Sequence, residues 1–398
     1  MLRPEPCYRA IMAGPEDFDP TGERMKVVGA FNPGVTMEDD DTVLMIRVAE
    51  APVDEPRNSV MLPYFDVENR ADSPYRISFD VLPESAIKSI GKKDVMLRAG
   101  TSRLRHLSHP VIARSIDGTS IDEIEDTPSF YPCFEHERFG MEDFRITKID
   151  TMEPDELGFY MLDDESTFYA LTYVSPHRIM GVSTSIAVTG DFRQFYRMPS
   201  PDHPQHIFTG IKDVAIFPGM FNIEERGVML PYYAALTRPN AFSDISSPGI
   251  WMSFSPDWIH WGRDTRVIVS MNGEVTGTGS PAVRTDGWWL GAFHEVTKEG
   301  DKSVYRGKLW GMRPKEALGG RSNEFMLYTS PVLMEPNEFK DVPPGYVPNV
   351  VYPSGMAVRD GMIDIYSGED DTYVSVRRYE SNDLIKFLKS GDRRIITI

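Results

Sequence analysis

The chain has 398 residues, 41% of them hydrophobic and 11% aromatic, which is enough to bury a large core as one big domain or two ordinary ones. A net charge of −18 with no lysine- and arginine-rich stripe argues against nucleic acid, whose phosphates are held through clustered cations. Cys7 and Cys133 are the only cysteines, no apolar run reaches the length of a membrane span, and the first residues lack a signal-peptide core. A cytoplasmic protein with no disulfide framework and no membrane contact is the expectation.

Taken in order, the elements read as strands almost throughout. TVLMIRVAE, GFYML, TFYALTYV, GVMLPYYAAL, WWLGAFHEV and MIDIYSGED are short apolar or alternating runs, separated by Gly, Pro, Asp and Asn. Helical periodicity is confined to PESAIKSIG and to SNDLIKFLKSG near the C-terminus. The fold class is therefore all-β with a short C-terminal helical tail.

The strands recur as a unit in which a polar residue opens one apolar strand and a second strand ends on a polar residue. Asn32 opens FNPGV and Arg47 closes TVLMIR; Asp143 opens DFRITKI; Asp213 opens DVAIFPGM and Arg238 closes the next strand. Ser280 opens SPAVRT before His294, and Asn349 opens NVVYPSGMAV before Asp371. The last four openings are 70, 67 and 69 residues apart, whereas the first gap is 111 residues, as if about 40 residues had been inserted. Such a period in an all-β chain implies a five-bladed β-propeller. The organisation that follows is an N-terminal arm over 1–27, a propeller over 28–379 with an insertion at about 52–110, and a tail over 380–398. The insertion can cover the funnel or join copies of the chain in a homo-oligomer, and both roles stand open.

In a propeller the start of each blade's first strand and the end of its second lie at one end of the axial funnel. Asn32, Arg47, Asp143, Lys212, Asp213, Arg238, His294, Asn349 and Asp371 are thereby expected to converge. At the centre stands MEDFRI, Met141 to Ile146, which sets two carboxylates and an arginine at the mouth of a strand. The other chemistry-bearing signals are weaker. His203 and His206 in PDHPQH have no partner cluster at ligand spacing, so no metal is expected. Trp258 and Trp261 read as packing residues, and the pair Trp288 and Trp289 should face opposite ways, one in the core and one nearer a substrate. No fingerprint of an organic cofactor is present.

The same residues carry a resemblance to glycoside hydrolase family 130, the mannoside phosphorylases and β-1,2-mannosidases. FNPGV with Arg47 fifteen residues on, MEDFRI, IKDVAIFP, TRP at 237–239, GTGSPAVRT followed by GWWLGAFHEV, and YVPNVVYPSG followed by YSGEDDT resemble that family's motifs, in order, from about residue 30 to 375. The resemblance implies a five-bladed propeller with Asp143 as general acid, its proton relayed through a sugar hydroxyl. It implies a phosphate site of Lys212, Arg238, His294 and Tyr305, and sugar contacts from Asn32, Arg47, Asp213, Tyr352 and Asp371. The partners it implies are a β-mannoside oligosaccharide and inorganic phosphate, the latter a co-substrate.

An inverting hydrolase needs an acid and a base with water between them. A phosphorylase needs only the acid, together with fixed positive charge for the anion. Phosphorolysis to α-mannose 1-phosphate is the first expectation. An inverting β-mannosidase with Glu295 or Asp213 as base is the alternative, and a non-catalytic carbohydrate-binding propeller is the third. Glu295 replaces a glycine of the family pattern, Phe144 replaces a proline, and the lysine of the family's KIGAG segment is absent here at Val275 or Thr276. Residues 240–250 lack a histidine that some phosphorylases turn toward the acceptor sugar, which leaves the acceptor open.

Overall fold

Five antiparallel sheets follow one another along the chain of the computed structural model, which describes residues 2–68, 73–149, 168–177, 181–198, 208–239, 249–269, 275–313 and 324–398. Sheet I runs outward from Met25–Glu38 through Asp41–Pro52 and Leu107–Ser115 to Glu123–Ile124. Sheet II starts at Glu142–Ile149, sheet III at Ile211–Ile216, sheet IV at Val275–Thr278 and sheet V at Val351–Arg359. The first strands of sheets I, II and III each touch the next sheet, Val283–Thr285 and Trp288–Glu299 of sheet IV touch Val351–Arg359 of sheet V, and that strand returns to touch Met25–Glu38 of sheet I. The packing thus forms a cycle.

Strand alternation explains why every sheet is buried on both faces. One apolar cluster fills each junction between successive sheets, including V with I. Trp289 joins the cluster between sheets III and IV, while its neighbour Trp288 joins the one between IV and V. The two indoles do face opposite ways, but both are core. Trp258 is likewise fully buried between sheets II and III.

The chain ends are woven into this frame. Tyr8–Ala13, within the stretch read as an arm, pairs with Tyr373–Glu380 as the outer strand of sheet V. Asp392–Thr397 pairs with Glu324–Thr329 at the edge of sheet IV. Between them the helix Ser381–Lys389 buries Leu384, Ile385, Phe387 and Leu388, the spacing of one helical face, against sheets IV and V. PESAIKSIG is not a second helix: Glu84–Ala86 forms one 3-10 turn and Ile87–Ile90 a strand. That strand belongs to a three-stranded sheet, and Ser59–Phe65 with Ile77–Pro83 makes a two-stranded one, both between the second and third strands of sheet I. Among the described residues no helix is long and apolar enough to cross a membrane.

Candidate active site

Three of the inner strands are broken at the same place. Pairing registers slip between Phe31 and Gly34, between Glu142 and Arg145, and between Lys212 and Ala215. Asn32, Asp143 and Asp213 sit in these slips with φ of 49°, 52° and 53°. A bulge re-aims the extra residue's side chain, and the left-handed backbone it requires is one that Asn and Asp tolerate better than most side chains. Sequence and geometry agree here: the residue types that can occupy the bulge are those with polar groups to present.

These side chains meet in one pocket. Asn32, Arg47, Asp143, Lys212, Asp213, Arg238, His294, Tyr305, Tyr352 and Asp371 all line it. Glu295 does not; it follows His294 on the strand, points to the other face, and lies 3.4 Å from Lys308. Asn349 is also off the wall, its side chain accepting a bond from Asn337. Ser280 is turned inward to accept from the Ala292 N–H. In sheet IV the first strand is interrupted, Val275–Thr278 and Val283–Thr285 both pairing with Trp288–Glu299, so Gly277 takes the place beside the pocket. A Cβ on Gly277 would overlap Asp213 and the His294 ring.

The wall made by sheets I and II carries the acid. Arg47 donates from Nη1 to Asp143 Oδ1 at 2.8 Å, from Nη2 to Glu142 Oε1 at 2.9 Å and from Nε to Ser108 at 2.9 Å. Asn32 Nδ2 donates to the same Asp143 oxygen at 2.9 Å. Burial opposes charge on Asp143, but Arg47, Lys212, Arg145 and the Asn32 bond together outweigh it and hold its carboxyl well below the usual range. Glu142 goes the other way: burial raises it, and the Asp143 charge outlasts part of what Arg47 offsets. One guanidinium therefore serves two carboxyls of unequal acidity.

Sheets III and IV make the next wall. Arg238 Nε is 2.5 Å from Asp213 Oδ2, Arg145 Nη2 is 3.3 Å from Oδ1, and the Tyr352 hydroxyl donates to Oδ1 at 3.0 Å. Burial is again overruled, here by Arg238, Arg145 and Lys212, so Asp213 stays ionised. Arg145 lies beneath both walls, donating to the backbone carbonyls of Asp143, Thr278 and Gly279 and to Tyr352. Burial drives the His294 imidazole down to about 3, the Asp213 charge only partly opposing it, so this ring is neutral. Tyr305 stacks on that ring at 5.9 Å, and burial pushes its phenol up. Lys212 makes no side-chain hydrogen bond or ion pair among the described residues, although it faces this pocket.

Lys93, His106 and Tyr346 also line the pocket and were not among the candidates read from the sequence. The first two come from the inserted segment, outside the repeat, so the repeat could not point to them. Glu142 and Arg145 were visible in MEDFRI, but Arg47, the partner of Glu142, and the Thr278 and Gly279 carbonyls met by Arg145 lie outside that sheet. His203 and His206 lie outside the described residues. Among the described residues no group of three or more His, Cys, Asp or Glu could hold a metal ion.

The geometry finds company among known proteins. A family model described as beta-1,4-mannooligosaccharide phosphorylase, glycoside hydrolase family 130, matches residues 95–390. Beta-1,2-mannobiose phosphorylase of Listeria innocua is 28% identical over 368 residues, 90% of each chain. The 1,2-beta-oligomannan phosphorylase of a Thermoanaerobacter species is 29% identical over 290 residues, covering 71% of this chain and 82% of that one. The structure of the Listeria enzyme with β-1,2-mannobiose superposes with a TM-score of 0.73 at 24% identity, over 95% of this chain and 97% of that one. A structure described under glycoside hydrolases that target β-1,2 mannosidic linkages in Candida mannan gives a TM-score of 0.54 at 16% identity, over 96% and 91%. The family match spans most of the chain, and the chain belongs to glycoside hydrolase family 130.

Proposed function

We propose that this enzyme is an inverting phosphorylase that cleaves β-mannosides with inorganic phosphate to give α-mannose 1-phosphate, with Asp143 as general acid. The observation that carries the reading is Lys212, a pocket-lining cation whose charge no hydrogen bond or ion pair meets among the described residues. An anion is its natural complement. Arg238, the neutral His294 and the protonated Tyr305 supply further donors on the same wall, and phosphate is the anion that a carbohydrate-cleaving site would use as nucleophile.

The reaction then runs across the pocket. A phosphate oxygen held by Lys212 and Arg238 attacks the anomeric carbon as the glycosidic bond breaks. The proton of Asp143 passes to the leaving oxygen, with a sugar hydroxyl as relay. Asn32, Arg47, Asp213, Tyr352 and Asp371 hold the mannosyl unit. Beside Arg47, Lys212 and Arg145 the Asp143 carboxyl is ionised, and it must gain a proton before it can act. Bound phosphate pushes in that direction: one negative charge at short range and an effective dielectric near 20 is worth roughly 2–3 kcal/mol. That raises the neighbouring carboxyl by about 1.5–2 pK units, which is part of the rise that proton transfer near neutral pH needs.

Hydrolysis is disfavoured by the state of its two candidate bases. A base works best with a pKa near the working pH, and Asp213 is held ionised between Arg145 and Arg238. Glu295 is on the far face of its strand beside Lys308. The β-1,2 linkage is favoured because the two curated relatives are β-1,2-mannoside phosphorylases. The cyclic packing of five sheets supports a five-bladed propeller with the pocket on its axis. A chain with only two cysteines, Cys7 and Cys133, suits a reducing, cytoplasmic compartment.

The test is sugar release from β-1,2- and β-1,4-mannobiose with and without inorganic phosphate, assaying mannose and mannose 1-phosphate separately. Phosphate-dependent mannose 1-phosphate is expected, and Glu295→Gln should leave its rate within about twofold. Free mannose formed without phosphate, and lost in Glu295→Gln, would replace this reading with the hydrolase.

A further inference from the structure

One part of the pocket wall has no role in the reaction as written. Lys93 and His106 reach it from the segment between Asp41–Pro52 and Leu107–Ser115. That segment is docked on sheet V. Lys93 ion-pairs with Asp371, the Tyr346 hydroxyl donates to the Lys92 carbonyl at 2.6 Å, and the Lys92 ammonium lies 4.8 Å from the Tyr346 ring centre. Lys93 is thus already engaged. His106 is not.

The His106 residue is 4% exposed, its Nδ1 is buried with no partner, and no hydrogen bond reaches its ring among the described residues. Tyr346 meets it edge-on at 6.2 Å, which fixes the plane of the imidazole. Burial, then the charges of Arg47 and Lys93, keep the ring neutral, with a pKa pressed down to about 3. A neutral imidazole offers one donor and one acceptor; a hydroxyl group can match either, whereas an anion meets only the donor. Buried polar groups are rarely left unpaired in folded proteins unless a ligand or water completes them.

Its place decides which hydroxyl. His106 immediately precedes a strand of sheet I and lies on the wall with Arg47, which holds Asp143. Lys212 and Arg238 come from sheet III, and His294 and Tyr305 from sheet IV. In an inverting displacement the nucleophile and the leaving group occupy opposite faces of the sugar. A residue on the Asp143 side therefore meets the leaving sugar. We propose that His106 is a specificity residue for that leaving, or acceptor, sugar, binding one of its hydroxyls through the imidazole. The assignment rests on the phosphorylase reading.

The experiment runs the reaction in the synthetic direction, from α-mannose 1-phosphate and mannose as acceptor, with the wild type, H106F and H106Q. H106F keeps an aromatic ring against Tyr346 but removes both nitrogens. It should raise KM for the acceptor about tenfold or more, while KM for α-mannose 1-phosphate stays within about twofold. H106Q, which retains a donor and an acceptor, should recover most of the acceptor affinity, and H106L, which also lacks both nitrogens, takes the place of H106F if that variant does not fold. Unchanged acceptor KM in H106F, or parallel rises in both KM values in either variant, would overturn the assignment while leaving the phosphorylase intact. A wild type that consumes no α-mannose 1-phosphate would instead overturn the phosphorylase reading, and this assignment with it.

Discussion

At their starting ends the inner strands present Asn32, Asp143 and Asp213 from left-handed bulges to a charged pocket. A few residues further along, the same strands present Val35, Ile146 and Met356 to a second pocket, joined by Ala282 and Val283. Asn32 and Val35 are three residues apart, roughly 10 Å along a strand. Among the described residues lining the second pocket, Lys148 and Arg284 are the only charges. The contrast shows how one repeat serves two ends. Regular alternation commits each side chain to a junction core, as Val35 is committed to the cluster between sheets V and I. A bulge releases one residue per strand from that commitment. The charged end is then paid for in buried ions and an unpartnered ring, while the apolar end contributes packing.

The sharpest way to break the comparison is at Asp143. Asp143→Asn keeps a residue that accepts the left-handed bulge and removes the proton donor. Turnover should fall by about 10²–10⁴-fold, the usual weight of a general acid, while circular dichroism shows an unchanged fold. Normal rates of mannose 1-phosphate formation would sink the role given to Asp143. Lys212→Ala comes next. Losing one charge-assisted contact of about 1.5–3 kcal/mol should raise the KM for phosphate roughly ten- to a hundredfold, with KM for the mannoside far less affected. An unchanged phosphate KM would move the anion site elsewhere.

The two ends were unequally legible in the sequence. Openings at 143 and 213 lie 70 residues apart, and counting that period gathered the residues of the charged pocket from across the chain. The count slipped where a strand is interrupted: in sheet IV it pointed to Ser280, but the break before Val283 brings Gly277 to the pocket. It slipped again at Asn349, where Tyr352, three residues on, reaches Asp213. Lys93 and His106 belong to no repeat, and the Lys93–Asp371 pair joins residues 278 apart. No local pattern encodes such a contact. The chain ends were hidden for the same reason, since the partner of Tyr8–Ala13 or of Asp392–Thr397 is chosen by which sheet edge lies open in three dimensions.

Acid should find the charged end first. His106 and His294 have folded pKa values pressed to about 3, far below the unfolded value near 6.5. Below that unfolded value the unfolded chain binds more protons, so the stability these rings allow is complete above pH 6.5 and falls as pH drops toward 3. Between pH 6.5 and pH 5 the pair should cost about 3 kcal/mol. Urea unfolding at the two pH values, without phosphate, reads the loss, and H106Q should remove about half of it. An identical loss in H106Q would mean that His106 is protonated in the folded protein.

The smallest effect on activity is expected from the largest change at the apolar end. Met356 is 2% exposed, lines the second pocket and packs in the cluster between sheets IV and V. Met356→Ala removes buried methylenes and should lower stability by about 2–5 kcal/mol, seen as a lower urea midpoint. Its strand also carries Tyr352, which bonds Asp213 in the charged pocket. The register slip between Pro353 and Gly355 lies between the two residues. If bulges separate the ends mechanically as well as chemically, kcat/KM at 25 °C should stay within about twofold of wild type. A folded Met356→Ala that has lost tenfold or more would show that packing at the far end sets the position of Tyr352, and the two ends would then have to be treated as one site.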